Sequence, residues 1–410
     1  MMKNEMELLK EIEYVRFGGT KQEYKTAMWI KENLASLGLE SHYEAFNVQA
    51  SIVKKASLEV VEPYAQTINC RAYFASKSVN ELVAPLYYFT NNDPVALKEV
   101  KGKIALVDGY LGYWRYKDLI ENGAVGIIVH NGYLYDDNYD IDQREIREKL
   151  KELGVLPVVQ INTKDAYKMI QNAASEVKIT IESSDTVAES GNVVCDIEGE
   201  SDKTIVFTAH YDSTWLSKGS YDNATGTVGL LKIAEYFVGH KPYHNLRFVF
   251  CGSEERGLLG SKAYVAKHKE ELKDVALCIN LDMIGSTMGK FIACVSAENA
   301  LVNYLNYFAC EEGVSLKAYQ DVYSSDSTPF ADEGVPSLSF ARDTNITPIH
   351  CHHDTTASLT LSQMQYDIAF INAFASRMAA AKVFPVDHTI PENIKEKLDV
   401  YMLRKKPSTK

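Results

Sequence analysis

No apolar stretch in this 410-residue chain is long enough to cross a bilayer, which speaks against a membrane-spanning bundle. No CxxC pair occurs either. The seven cysteines, Cys70, Cys195, Cys251, Cys278, Cys294, Cys310 and Cys351, are scattered and odd in number, a pattern of reduced thiols and not of a disulfide framework. Positive charge is in short supply: 43 Lys and Arg stand against 55 Asp and Glu, a net charge of -12. A nucleic-acid surface needs clustered cations, so that class of partner is not expected. The acidic balance suits solubility, and an acidic mouth that draws in a cationic amino terminus or divalent metal is the functional alternative. There is no internal repeat and no low-complexity tract, and Met1-Met2-Lys3-Asn4-Glu5 is not an apolar leader; a cytoplasmic, globular protein is expected.

The length suits two domains, or one catalytic domain carrying an insertion. Tyr24, Met28, Ile30, Leu34 and Leu37 fall at helical spacing, with Gly38 as the stop, and an extended segment follows over Ser41 to Asn47. From about Ser51 short strands are expected. Gly102 to Asp108, Gly123 to His130 and Leu156 to Ile161 read as buried strands alternating with helices over Tyr116 to Asn122, Gln143 to Leu153 and Asp165 to Ala174. Polar residues Asp185 to Gly191 mark a return linker. Strands over Asn192 to Ile197, Thr204 to Ala209, Leu246 to Cys251 and Val275 to Asp282 then alternate with helices over Thr225 to Val238 and Ser261 to Lys267.

The chemistry-bearing residues sit where these apolar strands end. Phe207-Thr-Ala-His210-Tyr-Asp212 closes one strand on a histidine, and alternation puts Asp212 on the same side, where a carboxylate can orient the imidazole. Asp222, in Gly219-Ser-Tyr-Asp222-Asn-Ala-Thr-Gly226, can cap the following helix or bridge two cations beside His210. Glu254 and Glu255 follow another strand; adjacent acids repel unless cations or a shared proton relieve them, so one can bind metal while the other takes a proton from water. Asp282 interrupts an apolar strand and needs a partner, either metal or the Lys290 region. Ile349-His350-Cys-His352-His353-Asp354-Thr355 concentrates three of ten histidines. Together these are the parts of a metal hydrolase.

This constellation resembles the dinuclear zinc exopeptidases, a family that includes leucyl-type bacterial aminopeptidases and the glutamate carboxypeptidase and transferrin-receptor types. The resemblance implies an α/β fold with a central mixed, mostly parallel sheet flanked by helices. It places zinc ligands on His210, Asp222 (bridging), Glu255, Asp282 and His350, the supporting acid on Asp212 and the general base on Glu254. His350 is selected over His352 and His353 because the family histidine lies four residues before an acid and Thr, here Asp354-Thr355. Residues 51–181 resemble an inserted protease-associated domain with a lid or substrate-selecting role. The zinc peptidase domain is then 1–50 with 182–385, and 386–410 forms a C-terminal extension.

Two departures stand out. Ser327 replaces a common histidine, and Ile349 replaces the tyrosine that stabilises the oxyanion in some relatives. Tyr323, near Asp326, is the candidate for that task, against an ordinary aromatic loop residue. The expected function is removal of N-terminal residues from peptides by hydroxide activated by two Zn2+ ions. The alternatives are a carboxypeptidase using Arg256 or Arg342 to grip the substrate carboxylate, a one-zinc glutaminyl cyclase, and a catalytically silent peptide-binding protein.

Overall fold

The computed structural model describes residues 2–344 and 347–407. They divide into two compact units, Met1–Val48 with Glu189–Lys410, and Gln49–Ala188. Two 22-residue strands, Ser41–Glu62 and Glu176–Ile197, carry the chain out of the first unit and back. The polar stretch Asp185 to Gly191 is therefore strand and not the expected linker, and the segment beyond Ser51 opens on one long strand instead of several short ones.

The first unit is built on a mixed, mostly parallel sheet, as expected. Strands Lys290–Ser296 and Leu316–Gln320 are parallel, and Ser337–Asp343 runs antiparallel to Lys290–Ser296. Next come Val275–Leu281, Thr204–His210 and Asn245–Cys251, all parallel to Ser337–Asp343, and residues 193–197 close the order antiparallel. Four neighbouring strands thus end on one edge, with Cys251 paired to His210 and Leu281 to Phe340. The continuous apolar runs of these strands reflect burial on both faces. Helices Lys21–Ser36, Thr225–Val238 and Leu361–Ala380 supply Ile30, Leu34, Leu230, Ile233, Phe370 and Phe374 to the main core. The C-terminal helix Glu392–Tyr401 packs Ile394 and Leu398 with Ala331 of the same unit.

The helix Thr225–Val238 approaches the sheet at Gly226. A Cβ there would lie 2.3 Å from the Leu281 carbonyl oxygen and 2.5 Å from Asn223 Oδ1, so only glycine permits the close approach.

In the second unit, strands Val79–Phe89, Ile104–Asp108, Gly126–Asn131 and Val158–Asn162 are parallel neighbours. Helices Tyr113–Glu121 and Thr163–Gln171 bury Tyr116, Leu119, Ala166 and Met169. The helix expected over Gln143 to Leu153 shrinks to Glu148–Lys151. The buried Gln143 side chain donates to the Ala72 and Arg144 carbonyls and Ile146 N–H donates to Phe74, which holds the preceding residues extended.

Candidate metal centre

The sheet edge gathers the residues singled out at the strand ends. His210 Nε2 lies 3.2 Å from Asp222 Oδ1, 3.7 Å from Asp282 Oδ1 and 4.0 Å from Glu254 Oε2, and its Nδ1 lies 3.3 Å from Asp212 Oδ1. His350 Nε2 is 3.1 Å from both Asp222 Oδ2 and Glu255 Oε2. Two donor groups result, His210 with Asp222 and Asp282, and His350 with Asp222 and Glu255; they share Asp222 through its two oxygens. His352 and His353 belong to neither group and pack ring against ring, with centroids 3.8 Å apart.

Local sequence explains this convergence. Asp222 does not cap its helix. Its neighbour does: Asn223 Oδ1 accepts the Gly226 N–H at 2.9 Å, which leaves the Asp222 carboxylate turned to the two histidines. Asn223 also donates from Nδ2 to the Leu281 carbonyl at 2.9 Å and accepts the Met283 N–H at 3.1 Å, so one amide spans the residues flanking Asp282. Asp354, the acid four residues after His350, accepts the Tyr221 N–H at 2.7 Å and the Asp222 N–H at 3.1 Å. Asp212 accepts the N–H groups of Glu254 at 2.9 Å and Glu255 at 3.2 Å besides facing His210. The fully buried Arg16 guanidinium donates to the carbonyls of Ile12, Tyr14, Tyr211, Lys218 and Gly219, clamping the loop that leads to Asp222.

Burial opposes charge throughout the site, and the histidines decide which acids keep it. Burial works to raise Asp222, yet the bonds to His210 and His350 outweigh it and hold the carboxyl well below its ordinary range. Burial pushes Glu254 well up, with His210 opposing and Glu255, Asp326 and Asp282 adding to it. Glu255 is raised by burial against the pull of His350. For His210, burial lowers the imidazole but Glu254 and the surrounding aspartates carry it well above its usual value. Asp326, fully buried, is pushed up to about 7 by desolvation.

Such packing of carboxylates around two imidazoles calls for cations. Asp282 Oδ1 is buried without a hydrogen-bond partner, and Lys290, its alternative partner, is exposed at the start of its strand. Two imidazoles with carboxylate oxygens fit a divalent metal of the zinc type, which takes nitrogen and oxygen donors.

Some contributors were not singled out from sequence. Glu23 lies on the buried face of its helix at helical spacing with Ala27, Ile30 and Leu34, and an acid in that register was the available signal. Asn223 and Arg16 carry no comparable signal, because their partners are backbone atoms distant in sequence. Tyr323 is half-buried, and Asp282 and Asp222 act on its phenol, which burial raises well above the ordinary value. Ser327 takes a structural bond instead, its hydroxyl 2.7 Å from that of Ser339.

Fold and site together define a metallohydrolase of the α/β exopeptidase type. Residues 192–373 match the model for Peptidase family M28, in keeping with a metallopeptidase. The chain is 28% identical over 341 residues to aminopeptidase YwaD of Bacillus subtilis, covering 79% of this chain and 71% of that protein. It is 29% identical over 198 residues to an aminopeptidase of Pseudomonas aeruginosa, covering 47% of this chain and 36% of the relative, so it spans about a third of that protein's length. Among solved structures, BSAP, a zinc aminopeptidase from Bacillus subtilis, superposes with a TM-score of 0.78 at 25% identity, over 96% of this chain and 98% of that one. No helix among the described residues is long and apolar enough to cross a membrane.

Proposed function

We propose that the chain is a zinc aminopeptidase that holds two ions, one by His210, Asp222 and Asp282 and the other by His350, Asp222 and Glu255. The observation that carries this reading is Asp222, whose two oxygens each face a different histidine. Zinc bound there supplies Lewis acidity toward the scissile carbonyl and lowers the pKa of water.

The protein side of the reaction falls to neighbouring groups. Glu254 reaches toward His210 but belongs to neither donor group, which leaves its carboxylate unclaimed by either ion. It is assigned as the general base that accepts the proton of the attacking water and delivers it to the leaving amine. Asp212 orients His210 and fixes the backbone of Glu254, so it acts through those residues. Tyr323 is assigned to donate to the carbonyl oxygen as negative charge develops there.

Amine-end cleavage is favoured over carboxyl-end cleavage by the fate of the two arginines. Arg342 is committed to Asp367 and to the Gly289 carbonyl. Arg256 donates to the Gly18 carbonyl and lies over the Phe17 ring. The second unit is assigned as a protease-associated domain serving substrate selection, and the scattered cysteines suit a reducing, cytoplasmic setting. Elemental analysis combined with assays on aminoacyl and N-blocked peptides tests the proposal. Near two zinc per chain with cleavage of free-amine substrates is expected; cleavage of only the blocked ones overturns it.

A further inference from the structure

A cavity of about 330 Å3 opens beside the candidate metal centre. Three of its walls, Tyr221, Met283 and Ile349, each adjoin a candidate ligand in sequence, namely Asp222, Asp282 and His350. The opposite wall comes from three neighbouring strands. In their registers Cys294 pairs with Tyr319 and Lys290 with Asp343, so alternation puts Ile292, Tyr319 and Asp343 on one face of the sheet. The Tyr221 hydroxyl donates to the Arg342 carbonyl, which fixes that ring as a wall. The volume lies at the small end of the roughly 300–1,000 Å3 typical of ligand sites, suited to one side chain and not to several residues.

Asp343 is the one carboxylate in this lining. Among the described residues no hydrogen bond or ion pair involves its side chain, and Lys290, opposite it in register, is exposed and forms no ion pair with it. Asp343 is itself exposed, so it sits where a cation can meet it without full loss of water. The remainder of the lining is largely sulfur, aliphatic carbon and ring, which suits the methylene stem of a long side chain.

We propose that this cavity receives the side chain of the substrate's N-terminal residue and that Asp343 selects a long stem ending in a cation, the lysine and arginine class. The inference rests on the aminopeptidase reading above. It commits the cavity to one occupant: an aliphatic stem lies along Met283, Ile292 and Ile349, and an ammonium or guanidinium pairs with Asp343. An N-terminal Asp or Glu meets like charge at the same point and is rejected.

The test is a set of aminoacyl 4-nitroanilides of Lys, Arg, Leu and Glu, assayed on the zinc-loaded full chain and on Asp343→Asn and Asp343→Lys. Wild type is expected to favour Lys and Arg over Leu, and to cleave Glu least. A charge-assisted contact of this kind corresponds to about tenfold in kcat/KM, so Asp343→Asn should lower the Lys-to-Leu ratio by about that factor. Asp343→Lys should raise the Glu-to-Lys ratio. Competitive inhibition by free L-lysine, compared with L-norleucine, should weaken in Asp343→Asn and weaken further in Asp343→Lys, where like charge is added. A Lys-to-Leu ratio unchanged by either substitution overturns the inference and leaves the aminopeptidase reading standing. Failure of wild type to cleave any of the four, with cleavage of N-blocked peptides, overturns both.

Discussion

Glu23 holds Ser253 twice: its Oε1 accepts the Ser253 N–H at 2.8 Å and the Ser253 hydroxyl at 3.0 Å. Ser253 has a left-handed backbone, with φ at 54°, where a side chain is disfavoured. The next two N–H groups, of Glu254 and Glu255, go to Asp212. Two buried carboxylates therefore secure three consecutive amides of the turn that presents the proposed base and a proposed ligand. One comes from the N-terminal helix and the other from the end of a sheet strand, so the turn is tied to two separate elements.

Glu23→Gln tests this tie. The Gly19 N–H donates to Glu23 Oε2 at 2.6 Å, and an amide cannot supply every acceptor at once, so a loss of about 1–3 kcal/mol in urea unfolding is expected. The pH dependence is the sharper readout. Burial, reinforced by Asp212, pushes Glu23 from 4.5 up to about 8. Between those values the folded chain keeps a proton that the unfolded chain has released, so this group's stabilisation is complete below the lower value and is lost as pH rises through the upper. The gap in urea midpoint between wild type and Glu23→Gln, at equal zinc loading, should narrow from pH 5 to pH 8. A gap that is constant or widens would contradict it.

Sequence pattern reached the sheet and the strand-end residues for the same reason. Each of His210, Glu254, Glu255 and Asp282 terminates a run of apolar residues, and an ionisable group in that place stands out against the run. It reached Asp222 only as one of two options, and the hydrogen bonds of Asn223 settle which residue caps the helix. What it did not reach is the backbone support. Arg16 and Asn223 act on carbonyl and amide groups that every residue possesses, and such partners leave no trace in residue type. The long strand through Asp185 to Gly191 was missed because its central residues are exposed and polar, with no buried face to impose alternation.

Glu254→Gln separates proton transfer from metal binding. The substitution keeps size and removes the base, so kcat should fall by about 10²–10⁴ while zinc stoichiometry and urea midpoint stay close to wild type. Parallel zinc analysis of Glu255→Gln provides the contrast, since a ligand's loss should release metal. Equal zinc loss in both variants would place Glu254 among the ligands instead.

The three C-terminal histidines should separate in the same assay. His350 faces Asp222 and Glu255, whereas His352 and His353 lie outside both donor groups. His350→Ala is expected to lower bound zinc toward one per chain and to abolish most turnover. His352→Ala and His353→Ala should retain the wild-type zinc content. A loss of zinc in either of the latter, with retention in the first, would move the ligand.

Arg342 gives the strongest contrast between a structural and a substrate-binding cation. Its Nε lies 3.0 and 2.9 Å from the two Asp367 oxygens, Nη2 is 2.8 Å from Oδ1, and Nη1 donates to the Gly289 carbonyl at 2.9 Å. Asp367 also accepts the Gly285 N–H at 2.8 Å and is fully buried. Removing the guanidinium leaves that carboxylate uncompensated, so Arg342→Met should cost about 3–5 kcal/mol in urea unfolding. The double variant Arg342→Met with Asp367→Leu removes both charges and should recover a large part of that loss. If Arg342 instead gripped a substrate carboxylate, Arg342→Met would raise KM for peptides with a free C-terminus far more than for their amides. The expected outcome is an equal, small change for the two, with the cost appearing in stability, because every donor of this side chain that meets a partner here meets one inside the fold.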